Sequence, residues 1–304
     1  MKNIVSFLLF SIVFWNVENC FDYFDGGYSD SDREFSSRGP RHWTRRKFEG
    51  KMDAIAKTLL WCPESPPWIV GLAEIENDFV LRKLCRSDIL RKFNYRYLHF
   101  ESRDSRGIDV GLLFLEDSLK LVKCYPLPVV HRDEVSGKID TLATRDILYA
   151  CFRGRKDGQF HHIFVNHHPS KYGGSSSAPK RLAAMRTLRY SVDSLLAAGQ
   201  SSIVAMGDFN DTPDAAAFSE MEGRLVNMGL SLKDEGTIRF HGKWELIDNF
   251  LVSADLAAKK RMEVLRPPFL LERDKQYPGE KPRRTYVGPR YNGGVSDHLP
   301  VMLY

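Results

Sequence analysis

Two polar side chains follow an apolar strand pattern in the second half of the chain. Residues 203–206 (Ile-Val-Ala-Met) predict a buried strand, which ends at once in Gly207, Asp208 and Asn210. Side chains of an extended chain alternate between two faces, so Asp208 and Asn210 point to the same side. A carboxylate and a carboxamide at one sheet edge can hold a single ligand together.

Polar residues of the same few types follow or interrupt other apolar strand patterns. Besides Asp208 and Asn210, this set contains Asn16, Glu74, His167, Asp248, Asp297 and His298. One Asp after a strand is most often a turn residue. A charge buried without a partner is very costly, however. Together, the eight positions therefore predict shared ligands or salt bridges rather than eight separate turns.

The donor types favour a hard cation. Glu74, Asp208, Asn210 and Asp297 offer the oxygen ligands that Mg²⁺, Mn²⁺ or Ca²⁺ prefer. A zinc site would use more His or Cys ligands. The four histidines within residues 161–168 fall on alternating faces of a strand, two to each face, so they do not form one zinc cluster.

Apolar patterns predict a mixed α/β chain of about ten strands and four or five helices. The predicted strands include residues 4–15, 68–74, 109–115, 121–127, 147–152, 160–165, 203–206, 246–252 and 299–303. The predicted helices cover residues 51–61, the segment after the Asn77 cap through Cys85, residues 181–196, and a segment that begins at Thr212-Pro213. Because helices do not alternate with every strand, mixed sheets packed on each other with helices outside fit better than a barrel.

The N-terminal apolar run has two interpretations. Lys2 followed by residues 4–15 is similar to a short signal peptide, and the run is too short to span a membrane. No small-x-small cleavage site follows, and the run passes directly into Asn16. A buried first strand is therefore favoured over a targeting segment, and with it a cytoplasmic over a secreted or periplasmic location.

Composition sets few limits on function. A chain of 304 residues, 43% hydrophobic, suffices for one large α/β domain or two smaller ones. The net charge of +5 favours anionic partners only mildly, without the dense Lys/Arg stripe of a strongly basic nucleic-acid binder. Five widely spaced cysteines predict mostly buried free thiols and lean towards a reducing compartment.

Six segments in chain order resemble the signatures of the endonuclease/exonuclease/phosphatase family, which includes DNase-I-like nucleases, abasic-site endonucleases, neutral sphingomyelinases and inositol polyphosphate 5-phosphatases. The segments are residues 14–19 (Phe-Trp-Asn-Val-Glu-Asn), 71–75 (Gly-Leu-Ala-Glu-Ile), 165–170 (Val-Asn-His-His-Pro-Ser), 207–211 (Gly-Asp-Phe-Asn-Asp), 246–251 (Leu-Ile-Asp-Asn-Phe-Leu) and 296–300 (Ser-Asp-His-Leu-Pro). Gly-Asp-Phe-Asn and Ser-Asp-His are specific in combination. The resemblance implies one domain over residues 1–304, with a four-layer α/β-sandwich of two packed mixed β-sheets flanked by helices and the site at one sheet edge.

The resemblance also implies ligands for the cation and roles for the residues of the opening motif. Glu74 would be the main ligand of Mg²⁺ or Mn²⁺, with Asn16 beside it and Asp297 as a further metal carboxylate or a support for the site. Asp208 would orient or deprotonate the attacking water. Asn210 would hold a phosphate oxygen.

The resemblance further implies in-line attack of water at phosphorus, without a covalent intermediate, and gives roles to two histidines. His298 would donate to a phosphoryl oxygen as charge builds, and Asp248 would hold its other ring nitrogen. His167 would contact the phosphate from the other side.

Four further residues are candidates for the substrate side of the site. Arg106 and Asp109 belong to an Arg-Gly-Ile-Asp run similar to one in bacterial members of this type, and Asp109 either pairs with His167 or simply begins a strand. Lys171 and Arg181 flank a turn with Gly173 and Gly174, which either lines a phosphate-bearing groove or is an ordinary loop into a helix. We expect Asp211 to support its loop.

The substrate prediction depends on residues 266–294, a long Pro-, Gly-, Arg- and Tyr-rich segment without periodicity. Its basic and aromatic residues suit a nucleic-acid backbone and bases, or else a merely solvated loop; they are Lys281, Arg283, Arg284, Arg290, Tyr286 and Tyr291. The sequence shows no hydrophobic hairpin suited to inserting a lipid phosphodiesterase into a membrane. We therefore expect a monomeric nuclease for DNA or RNA without stable membrane association.

Two alternatives stay open. One is a phosphomonoesterase, inositol-phosphate phosphatase or lipid phosphodiesterase of the same fold. The other is a catalytically silent binding module, against which the intact Glu74, Asp208, Asn210 and His298 argue.

Overall fold

Twenty strands and five α-helices make up the part of the chain that the structure, a computed structural model, describes: residues 10–63, 66–132, 136–171 and 177–304. The strands are β1 (Ile12–Cys20), β2 (Ile69–Ile75), β3 (Tyr95–His99), β4 (Asp109–Leu115), β5 (Leu119–Leu127), β6 (Val130–Arg132), β7 (Ile139–Thr141), β8 (Ile147–Gly154), β9 (Phe160–His167), β10 (Ile203–Asp208), β11 (Val226–Asn227), β12 (Ile238–Phe240), β13 (Lys243–Glu245), β14 (Asp248–Val252), β15 (Met262–Val264), β16 (Leu271–Arg273), β17 (Glu280–Pro282), β18 (Tyr286–Val287), β19 (Arg290–Tyr291) and β20 (Val301–Leu303). The α-helices are α1 (Asp30–Glu34), α2 (Arg45–Trp61), α3 (Asp78–Cys85), α4 (Ala178–Ala197) and α5 (Ala254–Ala257).

Two six-stranded mixed sheets form the centre of the fold. The first has the order β15-β20-β1-β2-β4-β3, and the second has the order β11-β14-β10-β9-β8-β5. The pairs β1–β2 and β9–β10 are parallel, while the other neighbours in both sheets are antiparallel. The remaining strands form two-stranded hairpins.

Strand alternation produces four layers. Ile12 and Phe14 of β1 meet Val204 and Met206 of β10 in the apolar core between the sheets. Val13 and Trp15 alternate with them along β1 and face the opposite way. They pack in a second core with side chains of α2 and α3. The outer face of the second sheet packs against α4 in a third core. The predicted four-layer α/β-sandwich is therefore confirmed.

The helices follow their sequence signals, with longer N-terminal ends than expected. Asn77 caps α3, as predicted, since its side chain accepts a hydrogen bond from the backbone N–H of Val80 at 3.2 Å. Helix α2 begins at Arg45 rather than at residue 51, because the buried ring of Phe48 extends its apolar face. Helix α4 begins at Ala178, with Pro179 in its first turn.

Three predicted elements differ from the structure. The first strand continues through Asn16 to Cys20; its predicted residues 4–9 lie outside the described part of the chain. No α-helix begins at Thr212-Pro213, and residues 216–221 form a 3₁₀-helix instead. Residues 266–294, predicted as one long loop, contain the hairpins β16–β17 and β18–β19, whose two- and three-residue strands are too short to show a period.

Two further sequence features have direct structural counterparts. All five cysteines are free thiols, and four of them are buried, as predicted. Within the described residues, none of the helices has the length and apolar character needed to cross a bilayer.

Candidate active site

The predicted polar strand ends of the second sheet lie side by side. In the strand register, Asp208 at the end of β10 is opposite His167 on β9 and Asp248 on β14. The preceding residue must be glycine, because a Cβ on Gly207 would lie 2.5 Å from the carbonyl oxygen of Asn166. Three chemistry-bearing side chains are thus placed in one row by backbone pairing alone.

Asn16 links the first sheet to this row. It follows Ile12 and Phe14 on the face of β1 that looks towards the second sheet. Its Nδ2 donates a hydrogen bond to Oδ2 of Asp208 at 3.0 Å. The apolar core between the sheets therefore ends in a polar contact between their edges.

Two bulges aim carboxylates into the space beside Asn16. The pairing of β2 shifts between Ala73 and Ile75, which leaves Glu74 as an extra residue with a φ of 64°. Its Oε2 accepts the backbone N–H of Asn19 at 2.7 Å. On β1, Glu18 and Asn19 also have positive φ values of 48° and 47°. Such strained backbone positions are typical of functional sites.

The loop that carries His298 is bound to β1. The indole N–H of Trp15 donates to the carbonyl oxygen of His298 at 2.9 Å, and the Ser296 hydroxyl donates to the carbonyl oxygen of Asn16 at 2.6 Å. The ring of His298 is oriented by a 2.8 Å hydrogen bond between its Nδ1 and Asp248 Oδ2. Its Nε2 then lies 3.8 Å from Oδ2 of Asp208.

Burial and neighbouring charges shift the pKa values of the residues in this group in different directions. Burial, together with the charge of Asp248, raises the pKa of Asp208 to about 7. Burial also opposes the charged form of His298, but Asp248, Asp208 and Asp297 hold its pKa well above the ordinary value. Burial lowers the pKa of His167 far below the ordinary value, and nearby arginines add to this effect. The site therefore pairs a cationic histidine with a neutral one.

These side chains surround a cleft of about 230 Å³. Eight of the predicted residues line it: Asn16, Glu74, Arg106, His167, Asp208, Asn210, Asp297 and His298. Asp248 lies behind His298 and is fully buried.

The cleft also contains Glu18, Asn19 and Ser170, to which the sequence gave no role, and Arg284 of the basic segment. The Arg284 guanidinium lies 2.7 Å from Glu18 and 3.1 Å from Asp297. Burial and the Asp297 charge raise the pKa of Glu18 to about 7. The sequence contained one signal for Glu18, because it follows Asn16 by two residues in a strand pattern. Nothing in the sequence indicates that Glu18 contacts Arg284.

Three of the four substrate candidates, Asp109, Lys171 and Arg181, do not line the cleft. Arg181 is buried, and its guanidinium binds Asp211 at 2.7 Å and the Ser177 hydroxyl at 2.8 Å, so it supports the loop after β10 instead of lining the cleft. Asp211 has the supporting position that we expected. Lys171 is half-exposed beside Ser170 and lies 3.7 Å from Glu245. The neighbouring Gly173 and Gly174 lie outside the described residues.

Asp109 begins β4, the second of the two alternatives left by the sequence. Its nearest imidazole is His99, whose Nε2 is 3.9 Å from Oδ2 of Asp109. Nδ1 of His167 has no hydrogen-bond partner among the described residues.

The basic segment before Ser296 does not form a continuous surface for bases. Tyr286 is buried and packs against Trp43, and the Arg283 side chain donates to the carbonyl oxygen of Asn292 at 3.0 Å. Of its six basic and aromatic residues named above, Arg284 alone lines the cleft.

The donor set fits a hard divalent cation. Asn16, Glu74 and Asp297 line the same cleft and offer carboxylate or carboxamide oxygens. Oδ1 of Asn16 accepts the backbone N–H of Glu18 at 3.0 Å, and a carbonyl oxygen retains a second lone pair for a cation.

A family profile with the description "Endonuclease/Exonuclease/phosphatase family" matches residues 11–304. The chain belongs to this family. Members of this fold family are phosphoesterase hydrolases. No curated protein sequence matches the chain significantly.

Solved structures of the family share the fold at low sequence identity. A mannosyl-6-phosphatase of Bacteroides thetaiotaomicron is 16% identical with a TM-score of 0.62, covering 97% of this chain and 98% of that one. The catalytic domain of human Nocturnin with bound sulfate is 15% identical with a TM-score of 0.57, covering 96% and 91%. TDP2 of D. rerio with single-strand DNA product is 15% identical with a TM-score of 0.54, covering 96% and 97%.

Proposed function

We propose that this protein is a Mg²⁺- or Mn²⁺-dependent nuclease, which hydrolyses phosphodiester bonds of DNA or RNA by in-line attack of an activated water. The observation that carries the proposal is the position of Asp208. Its Oδ2 accepts a hydrogen bond from Asn16 of the other sheet and lies 3.6 Å from Nε2 of His167 and 3.8 Å from Nε2 of His298. A water and a phosphate in the cleft would contact all three groups.

Asp208 is the proposed general base. Its pKa of about 7 lets it take a proton from water near neutral pH. The backbone N–H of Asn210 donates to Oδ1 of Asp208 at 2.9 Å and fixes the carboxylate. One amide hydrogen of Asn210 is bound to the carbonyl oxygen of His168 at 2.9 Å, which leaves the other to donate to a phosphate oxygen.

His298 is the proposed donor to the phosphoryl group. Because Asp248 binds its Nδ1, the proton on Nε2 points towards Asp208 and the cleft. The charged imidazole would stabilise negative charge that grows on a phosphoryl oxygen. His167, buried and neutral, would contact the phosphate from the β9 side.

Asn16, Glu74 and Asp297 would hold the cation. When bound, Mg²⁺ or Mn²⁺ would neutralise charge on the phosphate and the leaving oxygen. Arg106 lies 3.8 Å from Glu74 and brings a fixed positive charge to the same side of the cleft.

Arginines in and beside the cleft support a polyanionic substrate. Arg106 and Arg284 both line the cleft, and Arg284 also lines an adjoining pocket of about 140 Å³ that contains Arg41. Phe35 and Tyr286 line this pocket. A nucleotide bound there would be held by the arginines rather than by ring stacking, because both rings are buried.

The small size of the same pocket favours a second candidate, a phosphomonoesterase. Glu18, Arg284 and Asp297 form one ion-paired group at the boundary of cleft and pocket. A single sugar or nucleoside on a terminal phosphate would fill the pocket without needing a continuous groove.

The test is hydrolysis by the purified protein with Mg²⁺ or Mn²⁺ and with a chelator. The substrates are supercoiled plasmid, abasic DNA, single-stranded DNA and RNA oligonucleotides, inositol phosphates and sugar phosphates. We expect nucleic-acid cleavage that the chelator abolishes and that falls on the order of 10²-fold or more in His298→Ala. His161→Ala is the control, since His161 is another buried histidine of the same sheet, bound to Ser202 outside the cleft.

Other outcomes would replace the proposal. Cleavage of phosphomonoesters alone would favour the second candidate. Failure on every substrate would favour a binding module on this fold.

A further inference from the structure

A second group of metal-ligand residues lies outside the catalytic cleft. His99 ends β3, Asp109 begins β4, and Glu101 lies in the segment between them. Each of the three offers one ligand atom within 4.8 Å of the other two. None of the three lines the cleft that contains Glu74.

Two of these side chains are buried with polar atoms left open. The side chains of His99 and Asp109 are 3% and 4% exposed. Within the described residues, neither Nε2 of His99 nor Oδ1 of Asp109 has a hydrogen-bond partner. A buried polar atom without a partner is destabilising, and such atoms in a native fold point to a missing ion or water.

The separations within the group are too long for hydrogen bonds. Nε2 of His99 is 3.9 Å from Asp109 Oδ2, and Nδ1 is 3.8 Å from Glu101 Oε1 and 3.7 Å from Asp78 Oδ1. Ligands of a tetrahedral ion, bound at about 2.0–2.2 Å, lie roughly 3.4 Å from one another. The 3.9 Å between Nε2 of His99 and Oδ2 of Asp109 is close to this value. One ion can use only one ring nitrogen, and the unpartnered Nε2 is the open one.

We propose that Nε2 of His99 and the carboxylates of Glu101 and Asp109 bind a divalent transition-metal ion, Zn²⁺ or Mn²⁺. An imidazole nitrogen with two carboxylates suits these ions better than Mg²⁺ or Ca²⁺, which prefer oxygen alone. Bound there, the ion joins the end of β3, the segment that follows it and the start of β4.

The proposed ion has a positioning role for the cleft. Asp109 follows Arg106 by three residues, and Arg106 reaches the cleft beside Glu74. The same segment is held on its other side by the 2.8 Å ion pair between Asp104 and Arg145. Fixing Asp109 would therefore fix the segment that carries Arg106. The inference does not depend on the proposed nuclease function.

The test measures metal binding in Glu74→Gln protein stripped with chelator, because this background lacks the main ligand of the cleft. Titration with ZnCl₂ or MnCl₂ by calorimetry should show one equivalent per chain. Affinity should fall at least tenfold when His99→Ala or Asp109→Asn is added. Adding His161→Ala, which removes another buried histidine with an unpartnered Nε2, should leave it unchanged.

Co²⁺ gives an independent readout. Visible d–d absorption of Co²⁺-loaded Glu74→Gln protein should report nitrogen and oxygen ligands and should be lost in Asp109→Asn, which keeps the shape of the side chain. Absence of a bound equivalent, or full binding in both variants, would overturn the proposal. If His99→Ala does not fold, Asp109→Asn and its Co²⁺ spectrum decide the question.

Discussion

The molecule contains two clusters of one histidine with two carboxylates, and they differ in how their members are held. In the cluster that we propose as catalytic (Asp208, Asp248 and His298; the catalytic cluster below), His298 is hydrogen-bonded to Asp248 at 2.8 Å, and Asp208 accepts bonds from Asn16 and Asn210. In the edge cluster (His99, Glu101 and Asp109), the contacts of His99 with its acidic neighbours are 3.7–3.9 Å long, and none is a hydrogen bond.

The difference shows that residue type alone does not fix the chemistry of such a cluster. Hydrogen bonds in the catalytic cluster orient each group and set which one carries a proton, as acid–base chemistry requires. In the edge cluster, Ser102 hydrogen-bonds Asp109, but Nε2 of His99 and Oδ1 of Asp109 have no partner among the described residues and leave lone pairs for an ion. The two clusters should therefore respond differently to the same substitutions.

The largest expected difference is in hydrolysis by Asp208→Asn and Asp109→Asn. Both replace a buried carboxylate with a neutral group of the same shape. Loss of the proposed base should lower kcat/KM on the order of 10²-fold or more, whereas Asp109→Asn should change it only a few-fold through Arg106. Initial rates on one oligonucleotide substrate with saturating Mg²⁺ measure both. Equal losses in the two variants would contradict the division of roles.

Much of the cleft could be predicted from the sequence. The ordered motifs predicted one shared edge for Asn16, Glu74, Asp208, Asn210 and His298, and all five line the cleft. Asn210 follows the end of β10 with a φ of 51°, so a bend of the chain, not strand alternation, places it beside Asp208. Most of these residues lie at strand ends, and the pairing of the strands directly sets their positions relative to one another.

Other features depend on contacts between distant segments and could not be predicted in the same way. The bulge at Glu74 becomes visible only when β2 is paired with β4. Arg181 resembled a substrate cation in the sequence, but its helix turns it towards Asp211. The edge cluster joins the end of β3 to the start of β4, and no period or motif marks that contact.

A smaller loss is expected for Asp248→Asn, which removes the partner of His298 without touching the cleft. Activity should fall on the order of tenfold or more, because the ring loses its fixed orientation. Asp248 raises the pKa of His298 while burial lowers it, so the variant should lose the charged imidazole at a lower pH. The alkaline fall of the kcat profile should therefore move to lower pH.

The measurement is a pH–rate series for the wild type, Asp248→Asn and His161→Ala. The last variant should keep the wild-type profile, because His161 is bound to Ser202 and does not contact the cleft. If Asp248→Asn had lower rates but the same pH dependence as the wild type, His298 would not act through its charge.

The smallest expected effect is on the free energy of unfolding. Its dependence on pH distinguishes a metal site at Asp109 from a buried carboxyl group without a metal. Without metal, burial raises the pKa of Asp109 from 3.8 to about 7. The folded protein then keeps a proton that the unfolded chain has released, so this contribution to stability is complete below about pH 4 and is lost as pH rises through 7. Asp109→Asn cannot ionise and should not show this part of the pH dependence.

Zn²⁺ should reverse the sign of this dependence, because coordination requires the ionised carboxylate and so strengthens as pH rises. Thermal melts of the wild type and Asp109→Asn at pH 5 and pH 8, each with chelator and with Zn²⁺, measure the effect. The difference between the two proteins isolates Asp109 from Glu18, Asp208 and the other buried acids, which titrate in both. We expect a shift of a few degrees in Tm. If the Tm difference between the two proteins were the same in all four conditions, ionisation of Asp109 would not destabilise the fold and Asp109 would not bind an ion. The contrast between the two clusters would then disappear.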